Sequence, residues 1–143
     1  MRTSRTFDVA ARPDQVVAYL SIPRNCFVVN IPGTILGQSD APVRTGSWAD
    51  LAFGQLQVHL EYISFEPPTT IAISVKWRGA GSFGTSGTHT YRIEPIPATR
   101  MARITAEVDS PSGWWPAPYV RWYRMRISKR IQQGIDPYAA ARP

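Results

Sequence analysis

A single cysteine, Cys26, stands in 143 residues, so no intrachain disulfide can form and a thiolate-built metal centre is not expected. Long apolar runs are missing too: nothing approaches the roughly 20 residues that a bilayer-spanning helix needs. The opening Met1-Arg-Thr-Ser-Arg-Thr-Phe7 lacks the apolar segment of a secretory signal, and a soluble cytoplasmic protein is the expectation. Histidine is scarce. His59 and His89 are the two, and no histidine–carboxylate spacing matches a metal site, so neither metal nor cofactor is expected. No Gly-x-Ser-x-Gly elbow is present. Acidic residues number 10 against 16 basic ones, a formal net charge of +6. That excess admits nucleic acid, anionic lipid or an acidic ligand. Fourteen of the sixteen are arginine, a bias that genome composition alone can produce, so the charge by itself selects no partner.

What is present suits one folded domain: hydrophobic residues make up 43% of the chain and aromatics 11%. From Pro116 to about Gly134, the residues Tyr119, Tyr123, Ile127, Ile131 and Ile135 recur every four positions, with Val120 and Trp122 widening the stripe. This is the period of an amphipathic helix. Its other face carries Arg121, Arg124, Arg126, Lys129 and Arg130. The domain is read as residues 1–137, with 138–143 as a flexible tail.

The rest reads mostly as strands. Phe7 and Val9 alternate within a first strand from Thr3 to Ala10. Pro13 and Asp14 suit the first turn of a short helix that carries Val16, Val17, Tyr19 and Leu20 and stops before Pro23. A second short helix is expected over Arg24–Asn30. Strands follow at Thr34–Gln38, Ser47–Phe53 and Gln55–Phe65, the last with Leu56, Val58, Leu60 and Tyr62 opposite Gln57, His59 and Glu61. Ile71, Ile73, Val75 and Trp77 alternate in the next, then His89, Tyr91 and Ile93, then Ala102, Ile104, Ala106 and Val108. Runs of adjacent strands imply an antiparallel sheet. The fold class is therefore α+β: a curved antiparallel sheet of six to seven strands, two short helices after the first strand, and one long C-terminal helix laid across the sheet.

Several stretches resemble the START-like or SRPBCC superfamily. Phe7-Asp-Val-Ala-Ala-Arg-Pro-Asp-Gln-Val-Val-Ala-Tyr-Leu20 is similar to its opening strand and helix. Gly87-Thr-His-Thr-Tyr-Arg-Ile-Glu-Pro95 with Thr99-Arg-Met-Ala-Arg-Ile-Thr105 is similar to its penultimate hairpin, and the closing helix completes the pattern. The resemblance implies a helix-grip fold whose sheet and last helix enclose a cavity for hydrophobic or amphipathic molecules, lipids among them.

The residues expected to line that cavity are Trp48, Tyr62, Trp77, His89, Tyr91, Tyr123 and Ile127. Each must be weighed against plain core filling, the ordinary state of an interior. His89 shares the parity of Tyr91 and Ile93 and so should point inward, where it can hydrogen-bond a ligand or act as acid or base. Asp50 shares the parity of Trp48, and pairing with His89 is the expectation drawn from it; His59 is expected on the solvated face. Three functions follow. The first is binding or carrying a hydrophobic small molecule. The second is a polyketide cyclase/dehydrase-like enzyme using His89, Tyr91 and Asp50. The third is an interaction module in which Arg121, Arg124 and Lys129 meet an anionic ligand or membrane surface. Nucleic acid is disfavoured, because the aromatics fall on the apolar stripe and not among the basic residues. Gly79-Ala-Gly81-Ser-Phe-Gly84 matches half a dinucleotide fingerprint, but a β pattern follows it where a helix is required, so it is read as a hairpin loop over the cavity.

Overall fold

A computed structural model describes residues 2–26, 34–53, 56–66, 70–78, 86–109 and 117–142. The strands are β1 (Arg2–Val9), β2 (Thr34–Gln38), β3 (Trp48–Phe53), β4 (Leu56–Glu66), β5 (Thr70–Arg78), β6 (Ser86–Pro95) and β7 (Ala102–Asp109). The helices are α1 (Pro13–Leu20) and α2 (Ala117–Ala140). All seven strands form one sheet in the order β1-β7-β6-β5-β4-β3-β2, each neighbouring pair antiparallel. Consecutive strands from β2 to β7 are neighbours, and β1 closes the far edge against β7.

The alternation that marks each strand also assigns its faces. Val58, Leu60 and Tyr62 of β4 are buried, as are Ile71, Ile73 and Val75 of β5, Tyr91 and Ile93 of β6, and Ala102, Ile104, Ala106 and Val108 of β7. In β4 the parity breaks once. A bulge between Tyr62 and Ser64 leaves Ile63 exposed, so Phe65 returns to the core side and meets the Tyr62 ring edge-on at 5.9 Å.

Helix α1 starts at Pro13, whose missing N–H is no loss in a first turn. The Arg12 amide donates to Gln15 Oε1 at 2.9 Å, closing the turn. Val16 and Leu20 are fully buried. A 3-10 turn at Pro23–Cys26 stands where a second helix was expected over Arg24–Asn30; residues 27–33 lie outside the described part, as does the glycine-rich 79–85 segment.

Helix α2 runs past Gly134 and through Pro137 to Ala140, which corrects the expected helix end and places residues 138–140 of the expected tail in the helix. Gly and Pro are locally unfavourable in a helix. Tertiary contacts override them here. Ile131, Ile135 and Ala139 are buried. Gln15 Nε2 donates to the carbonyls of Arg142 at 2.7 Å and Ala139 at 3.4 Å, so α1 caps the end of α2. Gln132 Nε2 donates to the Asp8 carbonyl at 2.8 Å, tying α2 to β1. The last helix is held at its C-terminal half by both β1 and α1.

Candidate functional site

The buried face of the sheet carries one histidine among aliphatic residues. His89 in β6 stands opposite Ile73 of β5 and Val108 of β7, and Tyr91 follows on the same face. Its residue exposure is 7%, and its Nδ1 is buried with no hydrogen-bond partner among the described residues. Burial among apolar groups pushes the His89 pKa down to about 4, so the ring is neutral at pH 7. A neutral imidazole has one donor and one acceptor nitrogen. His89 thus places a weakly basic hydrogen-bonding group in a mostly apolar wall. Sequence parity placed His89 inward, and it is inward.

Tyr91 and Tyr62 are also on this face, both essentially inaccessible. The Tyr62 hydroxyl is committed to structure: it donates to the Leu20 carbonyl at 3.0 Å, at the end of α1. Tyr62→Phe is therefore expected to destabilise the fold by about 1 kcal/mol, the usual size for one buried hydrogen bond, measured by urea unfolding. Trp77 lies opposite Val58 in the β4–β5 register. The side chains of Trp77, Tyr123, Ile127, Arg121 and Arg124 fall outside the described set, as do Trp114 and Trp115. Of the basic helix, Arg126 and Lys129 are exposed, next to an exposed Met125.

Two expected cavity residues lie on the other side of the sheet. In β3 the buried residues are Ala49 and Leu51, so Trp48 and Asp50 face outward. Size and parity conflict in this strand: the large indole lies outside, and the small Ala49 packs beneath the sheet. Asp50 consequently does not pair with His89. Its Oδ1 accepts from His59 Nδ1 at 2.6 Å, across the β3–β4 ladder. His59 is half-buried and bonded, not simply solvated. Trp48 stacks near-parallel on the same imidazole, with centroids 6.1 Å apart. Reading Asp50 against the polar positions of β4 would have found this cluster, because Trp48, Asp50, Gln57 and His59 then share one face.

Among the described residues no group of His, Cys, Asp and Glu is placed to hold a metal ion, and no helix is long and apolar enough to cross a membrane.

No family model matches the chain, and no curated protein matches it significantly. Solved structures do. The chain is similar to DynU16, a protein of the dynemicin biosynthetic locus, at 17% identity and a TM-score of 0.66, covering 99% of this chain and 49% of that one. It is similar to Ara h 8.0201 at 9% identity and a TM-score of 0.66, over 99% and 98% of the two chains. It is likewise similar to the Aha1 dimer protein of Colwellia psychrerythraea at 10% identity and a TM-score of 0.65, over 100% and 99%. The chain spans about half the length of DynU16 and nearly the whole of the other two. At these identities the likeness establishes the fold.

Proposed function

From the helix-grip fold of START-like/SRPBCC proteins, which this chain has, we propose that it binds or carries a hydrophobic or amphipathic small molecule, lipids included, between the inner face of the sheet and α2. The observation that carries this reading is His89 Nδ1. A buried polar atom left without a partner costs about 1–3 kcal/mol, and nearly all such atoms in proteins are satisfied. A ligand hydroxyl or carbonyl reaching the inner face would satisfy it, while the ligand's apolar body would lie along the surrounding aliphatic wall. That is the usual make-up of a small-molecule site, mostly apolar with a few placed polar groups.

The basicity of His89 favours binding over acid–base catalysis. A general base works best when its pKa lies near the working pH. A histidine titrating near 4 is a weak base at neutral pH and is protonated in only about one molecule in a thousand. The cyclase-like reading, to which the dynemicin-locus protein lends analogy, therefore ranks second.

Native mass spectrometry of the purified protein, with organic extraction of bound material, tests the proposal. A co-purifying lipid or aromatic metabolite of defined mass is expected. Its affinity should drop about tenfold or more in His89→Leu, the equivalent of one lost hydrogen bond left unpaired on the ligand. A clean apo mass, together with no thermal shift across fatty acids, sterols and aromatic polyketides, would overturn it.

A further inference from the structure

The outer-face cluster lies on the opposite side of the sheet from His89 and has no part in the proposed carrier site. Here the edge of the sheet forms a cleft of about 310 Å³ lined by Leu36, Trp48, Asp50, Gln57 and His59. We propose that this cleft is a second binding site, for a flat ring that bears hydrogen-bond donors: an aromatic amine or amidine.

Four features build it. The first is a fixed aromatic shelf. Trp48 is 38% exposed, its indole lies against His59, and the backbone of Gly37 passes directly beneath it, so that a Cβ there would sit 3.6 Å from the ring. Its main chain is clamped by Ser39, whose hydroxyl accepts from the Trp48 amide at 2.9 Å and whose own amide donates to the Trp48 carbonyl at 3.0 Å. The shelf therefore needs little ordering when a ring is laid on it.

The second is an apolar side wall. The β2–β3 register shifts between Ile35 and Gly37, making Leu36 the extra residue of a bulge, and this residue, 56% exposed, lines the cleft. Bulges commonly re-aim a side chain in this way.

The third is the polar pattern. Because Asp50 is a carboxylate, His59 donates to it through Nδ1, which commits that ring nitrogen and leaves Nε2 for a ligand. Asp50 Oδ2 is an acceptor, and the Gln57 amide can serve as another. A site rich in acceptors selects a ligand rich in donors.

The fourth is charge. Asp50 is the carboxylate among the residues that line the cleft; in the register Glu61 pairs with Trp48, and the basic positions Lys76 and Arg78 pair with His59 and Gln57. A cation over an indole face is additionally attracted by the ring's quadrupole.

Amide chemical-shift mapping by NMR on the full chain tests this, with benzamidine as the probe and benzoate and methyl α-glucoside as comparators. Benzamidine should give saturable shifts confined to residues 35–39, 47–51 and 56–60, with a dissociation constant in the low-millimolar range typical of so small a ligand. Benzoate, of the same shape and opposite charge, should give none there. Trp48→Ala should weaken benzamidine at least tenfold and the near-isosteric Asp50→Asn at least threefold. Thermal melts confirm that each surface variant is folded, and Asp50→Asn carries the test alone should Trp48→Ala fail to fold. The proposal is overturned if benzamidine leaves these amides unmoved, if benzoate binds there equally well, if the glucoside binds in preference, or if neither substitution weakens the probe. None of these outcomes bears on the hydrophobic ligand, whose site lies beneath the sheet.

Discussion

Acidification from pH 7 to pH 4 is expected to destabilise the ligand-free protein by roughly 3 kcal/mol through His89 alone. The folded protein holds this histidine near pKa 4 by burying it, whereas in the unfolded chain it returns to its ordinary value of 6.5. Above pH 6.5 both states carry a neutral ring, and His89 contributes no pH dependence. Below 6.5 the unfolded chain takes up a proton that the folded one does not, so stability falls as the pH falls. The loss levels off once the pH passes about 4, where the folded protein also binds the proton. Asp8 and Asp14, held low mainly by hydrogen bonds from Arg103 and Arg12, lose their contribution in the same direction, below the ordinary carboxylate range. Both are exposed, and their share is small. Urea midpoints between pH 7 and pH 4 should thus slope steeply in the wild type and be nearly flat in His89→Leu. At pH 7 the leucine variant should also be more stable by about 1–3 kcal/mol, because it removes a buried polar atom that has no partner among the described residues. A protein that gains stability when one polar residue is made apolar keeps that residue for something other than stability, and a ligand contact is the role the carrier reading gives it. Equal pH slopes in the two proteins would show that His89 is satisfied in the folded state and would remove the main support for the carrier reading.

The same histidine marks how far the sequence could be read. In strands with one continuous period, parity alone orients the residues correctly: Leu60 and Tyr62 against His59 and Glu61, Tyr91 and Ile93 with His89. Strand pairing in such hairpins is close to forced, so the antiparallel succession β2 to β7 was legible as well, whereas the place of β1 beside β7 is not a hairpin and was not. Parity failed in β3, a short edge-side strand where a small residue, Ala49, holds the core position and the large Trp48 the outer one. Hydrophobicity there points the wrong way, and only the pairing of Asp50 with His59 across the ladder corrects it. The end of α2 failed for a different reason. Gly134 and Pro137 are local stop signals, and the contacts that overrule them come from Gln15, more than 100 residues earlier. No window along the chain contains that information.

Gly134 is there for what it lets in. A Cβ built on it would fall 2.7 Å from Tyr19 Cζ and 3.3 Å from Cε2, and closer still to the hydroxyl. Tyr19 comes from α1, and its ring is also packed edge-on against Tyr138 at 5.5 Å, with the Arg142 guanidinium 3.9 Å over the Tyr138 ring. Two opposed effects therefore meet in Gly134→Ala. Helix propensity alone would stabilise α2 by about 1 kcal/mol. The methyl must at the same time expel or tilt the Tyr19 ring, and overpacking of this kind costs typically about 1–3 kcal/mol or more. With the ring also packed against Tyr138, one turn further along α2, the second effect should win, leaving Gly134→Ala about 1–2 kcal/mol less stable than the wild type. The sign should then reverse in a Tyr19→Ala background, where the space is vacant and the propensity term acts alone, giving a gain of about 1 kcal/mol. Such a reversal, read as a coupling of 2 kcal/mol or more in a double-mutant cycle, would locate the effect in this one contact. The contact matters beyond stability. It fixes how closely α1 and α2 approach, and α2 is one wall of the proposed carrier site. Gly134→Ala should accordingly weaken any ligand bound beside His89, although residue 134 is part of the α1 contact and not of the inner face. Additive effects of the two substitutions would mean that Tyr19 moves aside freely and that α2 is positioned by its other contacts, Gln132 and the buried Ile131 and Ile135 toward β1 and the Gln15 cap from α1.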